Sequence, residues 1–411
     1  MRRIIILFLL IIPILIFAEE YTLDDLINIG LENSYDIKLE NTANLNAQSD
    51  LRSSWMGLLP SARISAGSSK NFDTGSDWSN NASFQLSKGI SLNEPNYYNV
   101  RTSILNKRNA DLSLENRKKL IAYTVFLKYL SVLESQKNLD IKEENLILQQ
   151  KISGQAQIQF ETGDKSAMEL QQSKISLINY EIEVNEAMNS LVKLRKDLFS
   201  YLNINDEGFE LADPNINITT EKAKFRTNIA LQQKENTLKT SRIMLFQEKM
   251  NFLPSLTMTY SLTHNDPNDI YDFENYDRIS NTLSLNASYN IFNLLQTREQ
   301  YLQAKRNHEL LRMDLEITKE KKKIELQILL SDFETIKKSQ ELYEDKLELA
   351  EKNLQMAQEH YKYGMISLLD FDRSKIEYQN STVSSMSKEF ELLKKQEEIN
   401  LFLSNKILGK W

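Results

Sequence analysis

Three histidines, His264, His308 and His360, are scattered through a chain of 411 residues that has no cysteine. Isolated histidines without a thiol make no metal site. No glycine-rich phosphate loop and no nucleophile elbow is present. The sequence therefore offers no site for a metal or another cofactor, and no constellation supports an enzyme. What remains is the chemistry of turns and fixed charges. Two stretches carry it, FETGDKSAMELQQSKI (Phe160–Ile175) and YKYGMISLLDFDRSKI (Tyr361–Ile376). Each has an aromatic residue, a glycine three positions on and a closing Ser-Lys-Ile. The glycines are Gly163 and Gly364, and 364 − 163 = 201. An acid follows each glycine by six positions, Glu169 and Asp370. The stretches also differ: one turn is charged (Asp164, Lys165), the other apolar (Met365, Ile366, Leu368).

Long elements must hold these turns. Beyond the first 18 residues, Pro occurs only at 60, 95, 214, 254 and 267, and residues 96–153 and 268–363 contain neither Gly nor Pro. Gly and Pro end helices, so two helices of about 60 residues or more are expected. At 1.5 Å per residue each is roughly 90–100 Å long, against about 11–12 residues for an ordinary globular helix. Coiled coils and helical tubes have such lengths. Leu347, Ala350, Leu354, Ala357 and Tyr361 step by 3 and 4, as do Leu177, Tyr180, Val184, Ala187, Leu191, Leu194, Leu198 and Tyr201. Such seams pack knobs into holes, and an ordinary solvated coiled coil gives the same pattern.

Four short segments read differently. SARISAGSSKNF follows Pro60, SLTMTYSLT follows Pro254, and NASFQLSKGISL and SNTLSLNASYNI complete the set. In the last, Leu283, Leu285, Ala287, Tyr289 and Ile291 alternate with Ser, Asn and Thr; Phe84, Leu86, Ile90 and Leu92 alternate likewise, interrupted by Lys88. Period 2 over about 10 residues is the length and pattern of a transmembrane β-strand with one face to lipid. A small soluble sheet shows the same alternation. Trp78, Tyr260, Tyr271, Tyr276 and Tyr289 lie in or beside the strands, where interfacial girdles form.

The chain begins MRRIIILFLLIIPILIFAEE. Two arginines, an apolar run too short to span and a small residue before Glu19 are the parts of a signal peptide over 1–18. Its removal takes the formal charge from −7 to −9 (−7 − 2). A mildly acidic, well-mixed chain is a poor nucleic-acid binder. With 41% hydrophobic and 26% charged residues, it is not disordered by composition.

The order of elements repeats. The first repeat, 19–202, runs helix (22–56), strand pair (61–92), long helix (95–160), glycine turn, helix (166–202). After a linker at 203–220, the second, 221–411, runs helix (221–251), strand pair (255–291), long helix (293–361), glycine turn, helix (366–407). LLPSARIS at 58–65 matches FLPSLTMT at 252–259, and KRNADL at 107–112 matches KRNHEL at 305–310. The fold class is therefore mainly α with a small β part and an internal tandem duplication. Four strands cannot close a transmembrane barrel, which needs 8 or more, and an open edge in lipid costs several kcal/mol per unpaired group. Other copies of the chain must complete it. Two copies give 8 strands and a lumen filled by side chains; three give 12 and a channel.

With its signal peptide, duplicated helix–strand–strand–helix plan, two Leu-Pro-Ser anchors and paired aromatic-x-x-Gly stretches, the chain resembles the TolC-like outer-membrane efflux and export channels over about 20–407. The resemblance implies a homotrimer with a 12-stranded β-barrel in outer-membrane lipid and an α-barrel reaching into the periplasm. It implies a passive exit duct for a tripartite efflux pump or type I secretion system. A periplasmic adaptor opens it, and an inner-membrane pump or ABC transporter acts through that adaptor. Carried over by position, Gly163, Gly364, Phe160 and Tyr361 belong to the periplasmic tip turns where adaptors dock. Glu169 and Asp370 match the acids that constrict the tip, where rings of one sign attract cations; an acid favoured by the helix dipole is the plainer account. Two departures stand out. Ile366 replaces a frequent basic residue, and Arg373, where a second acid is common, is placed to pair with Asp370. Pro60 and Pro254 mark the helix-to-strand junctions. The other reading of the same pattern is a periplasmic coiled-coil adaptor or structural protein with a small β domain.

Overall fold

The computed structural model describes residues 21–73, 78–163, 166–206, 208, 211–212, 228–266 and 279–411. The segment at 1–18, Asp164 and Lys165, Tyr271 and Tyr276, and most of the linker lie outside them. The elements run α1 (Leu23–Asn33), α2 (Tyr35–Met56), β1 (Ser61–Ser69), β2 (Ser79–Gly89), α3 (Pro95–Glu161), α4 (Ala167–Leu202), α5 (Ile229–Met250), β3 (Ser255–Asp266), β4 (Ile279–Ser288), α6 (Leu294–Lys362) and α7 (Leu368–Phe402). Short 3₁₀ turns at Ile291–Asn293 and Ile407–Gly409 complete the chain.

The two long helices have 67 and 69 residues, about 100 Å each, and their ends fall within one residue of the bounds expected, 95–160 and 293–361; Gly154 lies inside α3, and α6 begins well after the start of its Gly- and Pro-free window. Pro95 starts α3 at its first turn, where a missing N–H costs nothing. Three helix boundaries differ from expectation: the helix expected from 221 begins at Ile229, where the Asn228 side chain caps it by accepting from the Leu231 N–H at 3.2 Å. The helix expected over 22–56 breaks at Ser34, because that side chain caps α2 by accepting from the Ile37 N–H at 3.4 Å. The helix expected to reach 407 ends at Phe402. There Ser404 turns left-handed at φ 57°, and the Ser404 and Asn405 N–H groups close back on the Leu401 and Asn400 carbonyls. This is the paired-bond terminus that stops a helix.

Helix α3 packs against α4, α2, α5 and α7, and α6 packs against α7 and α5. Along the expected seams Ala187, Leu198, Ala350 and Ala357 are buried, whereas Tyr201 stays 40% exposed under the Lys128 ammonium. The main core sits midway along α3. Ile121, Val125, Phe126, Tyr129 and Leu130 meet Leu26 and Ile27 of α1, Leu198 and Leu202 of α4, and Phe390 and Ile407. The long helices extend past this core in both directions, so narrow seams, not a broad interior, hold most of their length.

All four strands form one antiparallel sheet in the order β1-β2-β3-β4. The strands have 9, 11, 12 and 10 residues. Register sorts their faces. Ile64, Phe84 and Leu262 lie in one row, Ala62, Leu86, Tyr260 and Leu283 in the next, and Met258 and Leu285 in a third. The opposite face carries Ser65, Ser83, Thr263 and Ser280, then Ser87, Thr259 and Ser284. Opposed residues of an antiparallel pair share a face, so the sheet is apolar on one side and hydroxyl-rich on the other. Lys88 falls in an apolar row next to Met258. Its ammonium bends to the Gly57 carbonyl at 3.4 Å and over the Tyr97 ring. The stem thus stays on the apolar side while the charge reaches the helix junction.

Candidate functional site

Pro60 and Pro254 immediately precede β1 and β3. Before each, the same hydrogen bond forms: Leu59 N–H to the Met56 carbonyl and Leu253 N–H to the Met250 carbonyl, both at 2.9 Å. The Leu-Pro-Ser anchors are thus two copies of one helix-to-strand turn. The Lys-Arg-Asn anchors also perform matching tasks. Asn109 accepts from Asn236 of α5 at 2.8 Å, Asp111 accepts from Asn44 of α2 at 2.8 Å, and His308 Nδ1 meets the Ser241 hydroxyl at 2.9 Å. Hydrogen bonds from Lys107 and Asn44 hold the Asp111 carboxyl below its usual range. Of the other histidines, His264 is buried on β3 and His360 is exposed at the end of α6.

At the opposite end of the long helices are the turns α3–α4 and α6–α7. Gly163 has φ +88° and Gly364 has φ +70°, a region glycine occupies at no side-chain cost. The Gly364 N–H donates to the Tyr361 carbonyl at 3.0 Å and the Met365 N–H to the His360 carbonyl at 2.8 Å. Together these satisfy the last carbonyls of α6. The Gly163 N–H makes the first of these bonds, to the Phe160 carbonyl at 3.1 Å.

The structure gives the two acids a local task. Ser166 caps α4, and the Glu169 carboxylate accepts from the Ser166 N–H at 2.9 Å and its hydroxyl at 3.0 Å. Ser367 caps α7, and Asp370 accepts from its hydroxyl at 2.7 Å. Both acids remain exposed. They therefore add negative charge to the tip while capping their own helices. Arg373 is exposed as well, and among the described residues it forms no ion pair with Asp370. In place of the pairing expected from their spacing, the Asp370 carboxylate takes the Ser367 hydroxyl of its own helix cap.

The aromatic partners of the glycines diverge. Tyr361 stacks on Phe371 with centroids 5.2 Å apart and planes 9° from parallel, in a small core with Ile152 and Ala357. Phe160 is 39% exposed. Met168, Met365 and Leu369 are exposed around the two turns, at 81%, 70% and 61%. One residue that sequence reasoning passed over is Lys375, of the second Ser-Lys-Ile. It is 1% exposed between α7, α3 and α4, with Nζ 3.1 Å from Gln149 Oε1 and 4.5 Å from the centre of the Tyr180 ring. Its sequence counterpart Lys174 is exposed. No local signal separates the two, since both sit in the same tripeptide.

Residues 227–392 match the outer membrane efflux protein family. No curated protein matches the sequence. Among solved structures, CusC is 14% identical, with 95% of this chain and 94% of that one covered and a TM-score of 0.82. The Campylobacter jejuni CmeC outer membrane channel is 18% identical, with 95% and 87% covered and a TM-score of 0.76. The outer membrane protein VceC from Vibrio cholerae is 14% identical, with 94% and 96% covered and a TM-score of 0.79. Residues 227–392 thus match the outer membrane efflux protein family, in a chain that shares the fold of these solved outer-membrane channels.

Proposed function

We propose that three copies of this chain form an outer-membrane channel that serves as the passive exit duct of a tripartite efflux pump or type I secretion system. The observation that carries the reading is the sheet. It has an apolar and a hydroxyl-rich face, strands of transmembrane length and two open edges, β1 and β4. Three such sheets give 12 strands, which closes the edges and leaves a water-filled lumen. Ile64, Leu283 and Leu285, exposed by 83%, 64% and 66%, then face lipid. The unsatisfied heptad faces of the long helices support the same assembly. On α6, Leu310, Met313, Ile317, Ile324 and Ile328 follow helical spacing, and all are more than half exposed. A neighbouring copy covers them in a closed helical tube.

In this reading the chain comprises a leader at 1–18 and repeats at 19–202 and 221–411 about a linker at 203–220. Pro60 and Pro254 set the passage from tube to barrel. The turns at Gly163 and Gly364, with Phe160 and Tyr361, are where a periplasmic adaptor docks; the exposed Met168, Met365 and Leu369 offer it apolar contacts. Glu169 and Asp370, with Arg373 beside them, set the charge of the constriction. Work is supplied from the inner membrane, by a pump or ABC transporter coupled through the adaptor.

The test is extraction in detergent, mass determination and conductance in a planar bilayer. A complex of three chains that conducts ions is expected. A monomer that stays soluble without detergent and never conducts overturns the duct.

A further inference from the structure

Lys375 lies 11 residues beyond Gly364 (375 − 364) and about two turns into α7. It is the largest fully buried charged side chain among the described residues. Its surroundings are polar but incompletely matched. Gln149, 2% exposed, accepts from Nζ and directs its own amide toward the Ser173 carbonyl at 3.5 Å. The Tyr180 hydroxyl donates to Gln379 Oε1 at 3.3 Å. Among the described residues, Asn145 Nδ2, Ser173 Oγ and Gln379 Nε2 on the helices that meet here have no hydrogen-bond partner. These residues come from α3, α4 and α7, so the cluster is the joint between the first tip hairpin and the second.

The charged groups around Lys375 decide how it behaves. From α4 come Tyr180 and Glu183, and Glu183 is already held by Lys142 of α3 at 2.8 Å. On α7 itself is Asp372. From α6, Lys346 is taken by Glu377 at 2.9 Å. Among the described residues no carboxylate forms an ion pair with Lys375. Burial therefore lowers its affinity for a proton from the ordinary 10.5 to about 8, against the weaker pull of Asp372 and Glu183. Burial likewise raises Tyr180, which stays a neutral hydrogen-bond donor.

We propose that Lys375 makes the seating of α7 against the first hairpin depend on proton activity: the neutral amine packs, and the protonated ammonium loosens the joint beside the tip turn. The sign follows from linkage. A base whose proton affinity is lower in the seated state than in the open one stabilises the seat as pH rises through 8, up to the ordinary value of 10.5. Below 8 both states carry the proton and the seat is at its weakest. The whole span corresponds to a factor on the order of a few hundred in the seating equilibrium, tenfold per pH unit. This rests on the duct reading only in that loosening the joint then favours an open tip.

The absence of cysteine allows a direct test on the full assembled protein. A single thiol is introduced by S173C, at a site 2% exposed whose carbonyl faces the Gln149 amide, and its rate with a charged methanethiosulfonate is followed from pH 7 to 10. The same thiol is measured in K375M and K375R backgrounds, so its own ionisation cancels in the ratio at each pH. The rate relative to K375M is expected to be high at pH 7 and to fall by about tenfold per unit above 8. Relative to K375R, which stays charged, it is expected to be near one at pH 7 and to fall over the same range. Should K375M fail to assemble, the K375R ratio alone decides. A ratio to K375R that stays flat from pH 7 to 10 overturns the proposal, as does a ratio to K375M of one at pH 7. Bilayer conductance is measured separately, so failure of the duct and failure of the joint are told apart.

Discussion

Replacing Gly364 by alanine isolates the backbone cost of the second tip turn. A Cβ at Gly364 meets nothing within 4 Å, and φ is +70°. No packing change enters, and the penalty is conformational alone. An L-residue in the left-handed region costs roughly 1–2 kcal/mol. Loss of glycine's freedom in the unfolded chain returns about 0.4–1 kcal/mol. The net is about 1 kcal/mol, or roughly fivefold in a local opening equilibrium. The bonds at stake are the Gly364 and Met365 N–H groups to Tyr361 and His360, which exist only while residue 364 is left-handed. Native-state amide exchange at residues 364 and 365 is therefore the assay. In G364A it should accelerate about fivefold, while amides deep in α6, such as Leu329, keep their rates. G364N should show a smaller effect, because asparagine tolerates this conformation. G163A should behave like G364A, with φ +88° and equally open space. Equal rates in wild type and G364A would refute the conformational account. An acceleration above a hundredfold, or one spreading into α6, would mean that the added methyl strikes a neighbour.

Three further outcomes follow from other contacts. In G30A the new Cβ sits 3.0 Å from Val125 Cγ2 and 3.1 Å from Leu202 Cδ2 in the main core; overpacking of about 1–3 kcal/mol should lower the melting temperature, and an unchanged value would show that the core yields. Glu397 is buried at 2% exposure, and burial raises its carboxyl above 4.5 although Leu408 N–H and Asn400 hydrogen bonds pull it down. The folded state then holds its proton longer than the unfolded one, so stability falls as pH rises from 4.5 through the raised value. E397Q should flatten that fall in a pH series of denaturation midpoints, and an unaltered slope would exclude Glu397 as its source. S367A should weaken the start of α7 by about 1 kcal/mol, read as faster exchange of the Asp370 N–H. If Asp370 also sets the charge of the constriction, D370A should raise closed-state conductance or weaken cation block, whereas S367A should not.

Much of the fold was legible because it rests on strong, repetitive signals. Windows free of Gly and Pro located α3 and α6, and the two-residue alternation located the four strands whose register then aligned their faces. The break at Ser34 was not legible in the same way. No Gly or Pro marks it, and Ser34 acts through a single capping bond. The end of α7 was missed for a related reason: Ser404 adopts a conformation serine rarely takes. It is held there by three bonds from outside its own turn. Its hydroxyl accepts from the Ile229 N–H at 3.0 Å, its carbonyl accepts from Lys119 at 2.6 Å, and the neighbouring Phe402 carbonyl accepts from Asn228 at 2.6 Å. Tertiary contacts of that kind leave no trace in local sequence. At the tip, the turn geometry was readable from Gly163 and Gly364, but the burial of Lys375 was not, since Lys174 has the same neighbours in sequence and opposite surroundings in space.

The Ser404 turn also extends the duplication beyond what the sequence displays. Asn203 ends α4 at φ 57°, its N–H and that of Ile204 closing on the Ser200 and Phe199 carbonyls. Ser404 ends α7 at φ 57° with the corresponding bonds, and 404 − 203 = 201, the spacing of Gly163 and Gly364. Backbone turns thus recur at one offset in residues as unlike as Asn and Ser, while side-chain surroundings do not recur. The reason lies in the packing. The two backbone bonds that close each helix end are made by the turn's own residues, so both copies keep them even though outside contacts also hold Ser404. A side chain facing outward from a hairpin meets whatever lies beside it, and the two hairpins of one chain have different neighbours, because α7 leans on α3 across the joint while the corresponding side of α4 carries the exposed Ile175, Ile178 and Ile182. Equivalent positions therefore diverge at the surfaces between hairpins, as Lys375 and Lys174 do. Lys375 sits on such a surface, which is why a change of its charge acts on the relation between hairpins and leaves each hairpin intact.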